Sequence, residues 1–266
     1  MNPSEVRILV VDDDHELRET VVELFTKFQF KVDSASSGNQ AWELVKKNKY
    51  NIVLTDVRMA DGDGVELAKN IRAQHPSSPS ILFISGFSQL MNEEIFHVGA
   101  EGKFSKPFDI NSIKNAIKTC LLSTADKWSQ PSPKGRIPFI EKKGKDFLEL
   151  ESQKSVIFGR GGFFVSHSFA APSIGSSVVF SISVSDPVPI VFKGAGIIQW
   201  VQARGKNGIP AGLGVEITTL ESVQIPIYLS HFEKVVAYIP SINKKVQEEM
   251  IASAKLQMDS VNKKSG

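Results

Sequence analysis

Two groups of aspartates have the residue types and positions that a metal site needs. Asp12, Asp13 and Asp14 directly follow the apolar run RILVV, and Asp56 directly follows NIVLT. If these runs are strands of one parallel sheet, the carboxylates meet at its carboxyl edge and repel one another unless a cation lies among them. Hard oxygen ligands with room for water suit Mg²⁺. The spacing therefore predicts a magnesium site at this edge.

Two further apolar runs end in residues that could hold a phosphoryl group beside such a metal. Ser85 ends the run ILFIS, and Lys106 follows GKF before Pro107. A hydroxyl and an ammonium group near a metal-bound carboxylate can bind phosphoryl oxygens, because the cations neutralise their charge. Asp56 is the natural nucleophile of such a site.

The elements that must position these residues alternate along the first half of the chain. Strands are predicted at RILVV (7–11), KVDSA (31–35), NIVLT (51–55), ILFIS (81–85) and GKF (102–104). Apolar residues with helical spacing lie between them, and a last helix is predicted from Ile110 to about Leu122. This alternation predicts an α/β fold, a doubly wound five-stranded parallel sheet with helices on both faces.

With these residues in place, residues 6 to 122 resemble a response-regulator receiver domain. The resemblance is carried by Asp12-Asp13, Asp56 in LTDVRMADGDG, Ser85-Gly86 and the KFSKPF stretch with Lys106-Pro107. It implies a flavodoxin-like fold in which Asp56 accepts a phosphoryl group. The donor would be a sensor histidine kinase or a phosphotransfer protein.

The resemblance also implies a role for each side chain of the site. The ligands of Mg²⁺ would be Asp12, Asp13, Asp56 and the backbone carbonyl of Arg58. The phosphoryl group would be held by Ser85 and Lys106, and Phe104 would be the aromatic switch that acts with Ser85. Lys106-Pro107 would be a cis peptide. Ala60 stands where the family usually has Pro, which is expected to loosen the loop without removing any reactive group.

Two other interpretations of the aspartates remain open. An inert acidic patch is one, since DDD before a helix is also a good N-cap. A metal-dependent phosphohydrolase is the other, but such enzymes usually need an acid or base above the nucleophile, and Arg58 occupies the position two residues after Asp56. Suitable side chains at four strand ends favour a receiver over both.

The chain of 266 residues is long enough for about two domains. SQPSPKG (129–135) has the composition of a linker. We predict a receiver at 1–123, a linker at 124–135, a second domain at 136–240 and a helical or mobile tail at 241–266. The net charge of +2 is too small to indicate nucleic acid or a membrane surface as partner. The single Cys120, with no secretory signal and no membrane span in the sequence, predicts a cytoplasmic protein.

The second half changes to short apolar runs separated by Gly, Pro and Ser. Strand candidates are DFLEL, SVIF, GFFVS, SVVFSISV, IVFKGAGIIQWV and GLGVEIT, with a helix at 221–238. They predict a small antiparallel β-barrel with a C-terminal helix. From about Gly135 to Tyr238 this half resembles a PilZ domain, the barrel that commonly binds cyclic di-GMP. The matching parts are GRGGFFV, IGSSVVFSISV, KGAGIIQWV and GLGVEITTLES.

The ligand-binding motifs of that family are largely absent. Asp/Asn-x-Ser-x-x-Gly falls on residues 157–162, where Ile157 replaces the acid or amide, Gly159 replaces the serine, and Gly162 remains. VIFGRGGFFV is instead predicted to be a strand, a tight turn and a strand, with glycine supplying a positive φ. Phe163 and Phe164 are predicted to point to opposite faces of the second strand.

The arginine motif of that family, Arg-x-x-x-Arg, is also incomplete. Arg136 has a place in it, but Ile140 stands where the second arginine would be. Arg136, Arg160 and Gly162 are therefore weak candidates for cyclic di-GMP binding, and Arg160 is expected to be an exposed turn residue.

These features lead to one main functional hypothesis and one alternative. The main hypothesis is a two-component regulator without an enzyme domain, whose second domain acts on a protein partner that the sequence does not identify. The alternative is a cyclic di-GMP effector that integrates phosphorylation and nucleotide binding. Receivers often form homodimers, so the resemblance also implies one. DNA binding is not expected, because the second half has no helix-turn-helix pattern.

Overall fold

The computed structural model divides the chain into two compact units, Met1–Leu122 and Ser123–Gly266. The structure describes residues 2–86, 98–135, 137–167, 173–205 and 210–232. In these ranges, no helix has the length and apolar character needed to cross a membrane.

The first unit is a five-stranded parallel sheet flanked by helices. Its strands are β1 (Arg7–Val11), β2 (Lys31–Ala35), β3 (Ile52–Asp56), β4 (Ser80–Gly86) and β5 (Gly102–Lys106). Its helices in the described ranges are α1 (His15–Lys27), α2 (Gly38–Lys47), α3 (Gly64–Gln74) and α4 (Ile110–Leu121). The strand order is β2-β1-β3-β4-β5 with every pair parallel, which confirms the predicted sheet.

Both faces of this sheet are buried because successive residues of its apolar strands point to opposite sides. Ile8 packs on one face with Phe25 of α1 and Ile113 of α4. Leu9, its neighbour, packs on the other face in the cluster that contains Ile71 of α3. The helices therefore occupy both faces and leave the carboxyl edge of the strands for the acidic residues.

The second unit is built on a six-stranded sheet. Its strands are β6 (Phe139–Gly144), β7 (Val156–Gly159), β8 (Gly162–Ser166), β9 (Ser177–Val184), β10 (Ile190–Gln202) and β11 (Gly212–Leu220). Its helices are α5 (Thr124–Lys127), α6 (Phe147–Ser152) and α7 (Ile225–Phe232). One face of the sheet covers a core rich in phenylalanine, and α6 and α7 contribute Phe147 and Phe232 to that core.

The prediction of an antiparallel barrel is wrong in part. The strand order is β6-β9-β10-β11-β8-β7, and β6 pairs with β9 in parallel while the other pairs are antiparallel. The described strands form a curled, open sheet in which Lys142 of β6 reaches Ser166 at the end of β8 (Nζ to Oγ, 3.3 Å). β6 and β9 can be parallel because a long connection, which includes α6 and the β7–β8 hairpin, separates them in the chain.

The predicted strand DFLEL is also wrong, because these residues begin α6. Asp146 caps the helix by accepting a hydrogen bond from Glu149 N (2.7 Å). The Glu149 carboxylate accepts one from Lys145 N in return (2.5 Å), so two backbone donors at the helix start are satisfied. The strand that precedes this helix, β6, was missed because only Ile140 in it is buried.

Residues 124–130, within the predicted linker, make ordered contacts in the second unit. Trp128 is 3% exposed and belongs to the core of that unit. Ser129 forms a β-bridge with Thr219 of β11. The predicted tail, 241–266, lies outside the described residues.

Candidate functional site

The register of the parallel strands brings the predicted site residues to one edge of the first unit. Val11 is paired with Thr55, so Asp12 and Asp56 leave adjacent strands at the same level. On the other side of β3, Asp56 is paired with Ile84, which places Ser85 one residue further along β4. Gly86 of β4 is in turn paired with Lys106 of β5.

Three carboxylates and one ammonium group meet at this edge. Oxygens of Asp12, Asp13 and Asp56 lie within 4.8 Å of one another. Lys106 Nζ donates to Asp12 Oδ2 at 2.8 Å and lies 3.3 Å from Asp56 Oδ2. Asp12 is buried, Asp56 is half-buried and Asp13 is exposed. The cluster is thus open to solvent on the side of Asp13.

The pKa values of Asp56 and Lys106 are both raised, but for different reasons. Burial raises the pKa of Asp56 above its ordinary value, although the nearby charge of Lys106 works against this rise. Burial also tends to lower the pKa of Lys106, but the hydrogen bond to Asp12 and the charges of both aspartates outweigh it and raise that pKa. Lys106 therefore remains a cation where negative charge accumulates.

The backbone around Asp12 is held by groups that the sequence analysis missed. Asp12 Oδ1 accepts a hydrogen bond from Asp14 N (3.0 Å), and Asp14 caps α1. Arg18, a buried residue of α1, donates from Nη1 to the Asp12 carbonyl oxygen (2.7 Å). The sequence offers no signal for this contact, because the direction of Arg18 depends on how α1 packs on the sheet.

The loop after Asp56 is fixed by close backbone contacts. Gly64 is required there, since a Cβ would lie 2.0 Å from the Asp56 carbonyl oxygen. Asp61 accepts hydrogen bonds from Asn39 Nδ2 (2.7 Å) and Ser37 Oγ (3.1 Å). These contacts anchor the loop to the start of α2, next to Ala60 in the chain.

The remaining predicted residues of the first unit lie on β4 and β5 or in the loop after β3. Ser85 is buried, and its hydroxyl donates to the Gly86 carbonyl oxygen (3.0 Å). Phe104 is partly buried against the core cluster that contains Ile84. The Lys106-Pro107 peptide is cis, as predicted. The side chain of Arg58 is exposed, and the role of its carbonyl stays a prediction.

The donor set of the acidic cluster fits Mg²⁺. Three carboxylates facing one ammonium group leave an excess of negative charge that a divalent cation would balance. All of them offer hard oxygen atoms, and the exposure of Asp13 leaves room for metal-bound water. Asp12, Asp13 and Asp56 are therefore the residues that would hold the ion.

In the second unit, the glycine-rich stretch forms the predicted strand, turn and strand. Gly159 of β7 is paired with Gly162 of β8, with Arg160 and Gly161 as the turn. The predicted reason was wrong, because none of these glycines has a positive φ. Gly162 is needed instead because a Cβ would lie 2.1 Å from the Val215 carbonyl oxygen of β11.

The cyclic di-GMP candidates do not form a described site. Ile157 is buried, so the position of the family's acid or amide offers no polar group. Arg160 is partly buried and has interactions of its own, contrary to the expected exposed turn residue. Arg136 lies outside the described residues.

Phe163 and Phe164 point to opposite faces of β8, as predicted. Phe163 packs in the core against Phe180 (ring centroids 4.8 Å apart). Phe164 stacks on Trp200 on the other face (5.4 Å) and is buried as well.

Comparison with known proteins identifies the first unit. The family model described as "Response regulator receiver domain" matches residues 8–118. Sporulation initiation phosphotransferase F of Bacillus subtilis is 32% identical over 116 residues, which are 43% of this chain and 93% of that protein. Transcriptional regulatory protein SrrA of Staphylococcus aureus is 29% identical over 135 residues, or 50% of this chain and 56% of SrrA. The chain thus spans little more than half the length of SrrA.

Solved structures also align with the first unit. Response regulator protein TrrA from Thermotoga maritima, in complex with Mg(2+)-BeF, is 26% identical with a TM-score of 0.41, and the alignment covers 44% of this chain and 99% of TrrA. The receiver domain of Francisella response regulator 1452 is 24% identical with a TM-score of 0.40, covering 43% and 95%. The family match and the relative covered over 93% of its length carry the assignment. The chain belongs to the response regulators of two-component systems, with its receiver domain in residues 8–118.

Proposed function

We propose that Asp56 is the phosphoryl acceptor of this receiver and that a sensor histidine kinase or a phosphotransfer protein is the donor. The observation that carries the proposal is the position of Lys106, which contacts Asp12 and Asp56 within a cluster of three carboxylates. Mg²⁺ would be held by the aspartates and by the Arg58 carbonyl, and it would neutralise phosphoryl oxygens. Ser85 and Lys106 would bind the oxygens that the metal leaves free.

The two oxygens of Asp56 differ in their surroundings. Oδ1 accepts a hydrogen bond from Val57 N (2.8 Å), whereas Oδ2 faces Lys106. We assign Oδ2 as the nucleophile. It forms the new O–P bond while the P–N bond of a donor phosphohistidine breaks, and the imidazole nitrogen keeps the electron pair of that bond. The backbone bond to Oδ1 fixes the carboxylate during the transfer.

Replacement of Asp56 tests this assignment. The Asp56→Asn protein incubated with a small phosphoryl donor and Mg²⁺ is expected to gain no phosphoryl group by intact mass, because the nucleophile is gone. Asp109→Asn is the matched control, since Asp109 caps α4 and asparagine caps a helix equally well. The control should be phosphorylated like the wild type. Full phosphorylation of the Asp56→Asn protein would refute the assignment.

We propose that the second unit is a PilZ-like output domain that acts through protein contacts. Its curled sheet supports the likeness, and the buried Ile157 with the glycine at position 159 supports an output independent of cyclic di-GMP. Calorimetric titration of the full chain with cyclic di-GMP is expected to give no binding heat at micromolar concentration. Binding at micromolar or tighter affinity would favour the alternative of a nucleotide effector.

A further inference from the structure

The segment that follows α4 begins with a short capped helix and then enters the core of the second unit at Trp128. Ser123 caps α5, since its Oγ accepts a hydrogen bond from Asp126 N (3.1 Å). Directly after α5, Trp128 enters the core, where its ring meets the edge of Tyr228 (centroids 5.1 Å apart, 90°). The indole is therefore held by side-chain packing in the second unit.

Backbone contacts hold the same segment against β11. The Trp128 carbonyl oxygen accepts a hydrogen bond from Leu220 N (3.2 Å). Thr219 Oγ1 donates to the Gln130 carbonyl oxygen (2.7 Å) and Thr219 forms a bridge with Ser129. We call Ser123–Gln130 the anchor segment, because both its backbone and its tryptophan are engaged.

The connection between α4 and the anchor segment is very short. α4 ends at Leu121, and Leu122 still donates from its N–H to the Thr119 carbonyl oxygen (3.2 Å). Leu122 and Ser123 are both extended, with ψ of 148° and 155°. Since helical residues have fixed dihedral angles, free backbone rotation between α4 and Trp128 is confined to Leu122 and Ser123.

Tyr228 extends the contacts of Trp128 to the glycine-rich hairpin. Its hydroxyl lies 2.8 Å from the carbonyl oxygens of Gly159 and Gly162, the residues on either side of the turn. Tyr228 is fully buried in this arrangement. Packed interiors pass on displacements because they contain little free volume.

We propose that the anchor segment transmits the phosphorylation state of the first unit to the second, by moving Trp128 within its core. A shift of the end of α4 reaches Trp128 through two residues, and Tyr228 passes it to the β7–β8 hairpin. The proposal rests on the proposed phosphorylation of Asp56 and specifies how that event regulates the second unit.

Fluorine NMR of the full chain tests this coupling. The three tryptophans, Trp42, Trp128 and Trp200, are labelled with 5-fluorotryptophan and assigned with single Trp→Phe variants. Beryllofluoride with Mg²⁺ serves as the phosphoryl mimic, and hydrogen exchange of residues 52–56 and 102–106 reports its binding. We expect the Trp128 resonance to move by more than its linewidth when the mimic binds.

An insertion variant gives the decisive comparison. Gly-Ser-Gly-Ser inserted between Leu122 and Ser123 should abolish the response of Trp128 while the exchange response of the first unit persists. The same four residues inserted between Lys134 and Gly135, after the anchor segment, are the control and should leave the response intact. Urea unfolding confirms that both variants are folded.

The outcomes separate the coupling from the proposed function. A first unit that responds while Trp128 of the wild type does not would overturn the coupling alone. A Trp128 response that survives the first insertion would overturn it as well. A first unit that does not respond to the mimic would count against both the proposed function of Asp56 and the coupling.

Discussion

At the scale of single residues, the acidic site is supported by an arginine, Arg18, that contacts its backbone and not its carboxylates. Arg18 donates to the carbonyl oxygen of Asp12, next to the carboxylate that binds Lys106. The contact is buried, where a hydrogen bond from a charged group contributes about 1.5–3 kcal/mol. Arg18 thus fixes the backbone of Asp12, one of the proposed metal ligands.

We predict that Arg18→Met weakens Mg²⁺ binding. The freed Asp12 backbone should raise the Mg²⁺ dissociation constant roughly tenfold, the equivalent of about 1.4 kcal/mol. Calorimetric titration of the full chain with Mg²⁺ measures this dissociation constant. Arg7→Met is the control, because Arg7 begins β1 and binds Asp33 of β2, whereas the proposed metal ligands follow the other end of β1. A dissociation constant unchanged in Arg18→Met would show that Arg18 acts on stability alone.

The sequence was sufficient for the acids and the lysine but not for Arg18. Asp12, Asp56 and Lys106 each follow an apolar strand, and parallel strands end at a common edge, so their meeting could be predicted. Arg18 approaches Asp12 from a helix, and its direction depends on how α1 packs on the sheet. No spacing rule gives that contact.

At the scale of elements, the two units differ in how well their strands could be predicted. All five strands of the first unit were predicted to within two residues. The central strands β1, β3 and β4 give the clearest signal, because they are buried on both faces. In the second unit, α6 was mistaken for a strand although Asp146 and Glu149 have the sequence spacing of a capping box, and Asp146 does cap the helix. β6 escaped prediction because its charged residues outnumber the single buried Ile140.

We predict that neighbouring glycines of the β7–β8 turn differ sharply in their tolerance of alanine. Gly162→Ala places a methyl group against Val215 of β11 and should cost about 1–3 kcal/mol of unfolding free energy. Gly161→Ala meets no atom within 4 Å and should change it by less than about 0.5 kcal/mol. Urea unfolding of both variants provides the comparison. Equal losses would mean that the turn conformation, not the approach to β11, requires glycine.

At the scale of the whole molecule, composition alone gives a misleading view of where the second unit starts. The Ser- and Pro-rich stretch suggests a free connection, yet Trp128 just before it is buried. Sequence rules recognise a linker by average polarity, and one aromatic residue barely changes that average. Its burial depends on the distant Tyr228, a contact that only the fold reveals.

We predict that mild acid destabilises the second unit through His231. This residue of α7 is 6% exposed, and burial lowers its pKa from 6.5 to about 4. The folded unit therefore keeps the imidazole neutral where the unfolded chain protonates it. The stabilisation is complete above pH 6.5 and is lost as pH falls towards 4, by up to about 3 kcal/mol.

Scanning calorimetry between pH 7 and pH 4.5 measures this loss, because the thermal unfolding midpoint of the second unit should fall as the pH is lowered. His231→Leu should flatten that pH dependence because nothing remains to titrate at this position. His75→Gln is the control, since His75 is exposed at the end of α3 in the first unit. A His231→Leu protein with the wild-type pH dependence would assign the effect to other groups.

The buried Trp128 after α5 also limits where the domains of this protein can be recombined with those of other response regulators. In a hybrid protein joined within SQPSPKG, everything before the junction would come from a foreign receiver, so Trp128 would be lost. Tyr228 and β11 would then lack their partner. A junction just before Ser123 keeps those contacts in one parent. Recombination that joins other receivers to the second unit should therefore succeed at the end of α4 and fail at the stretch that resembles a linker.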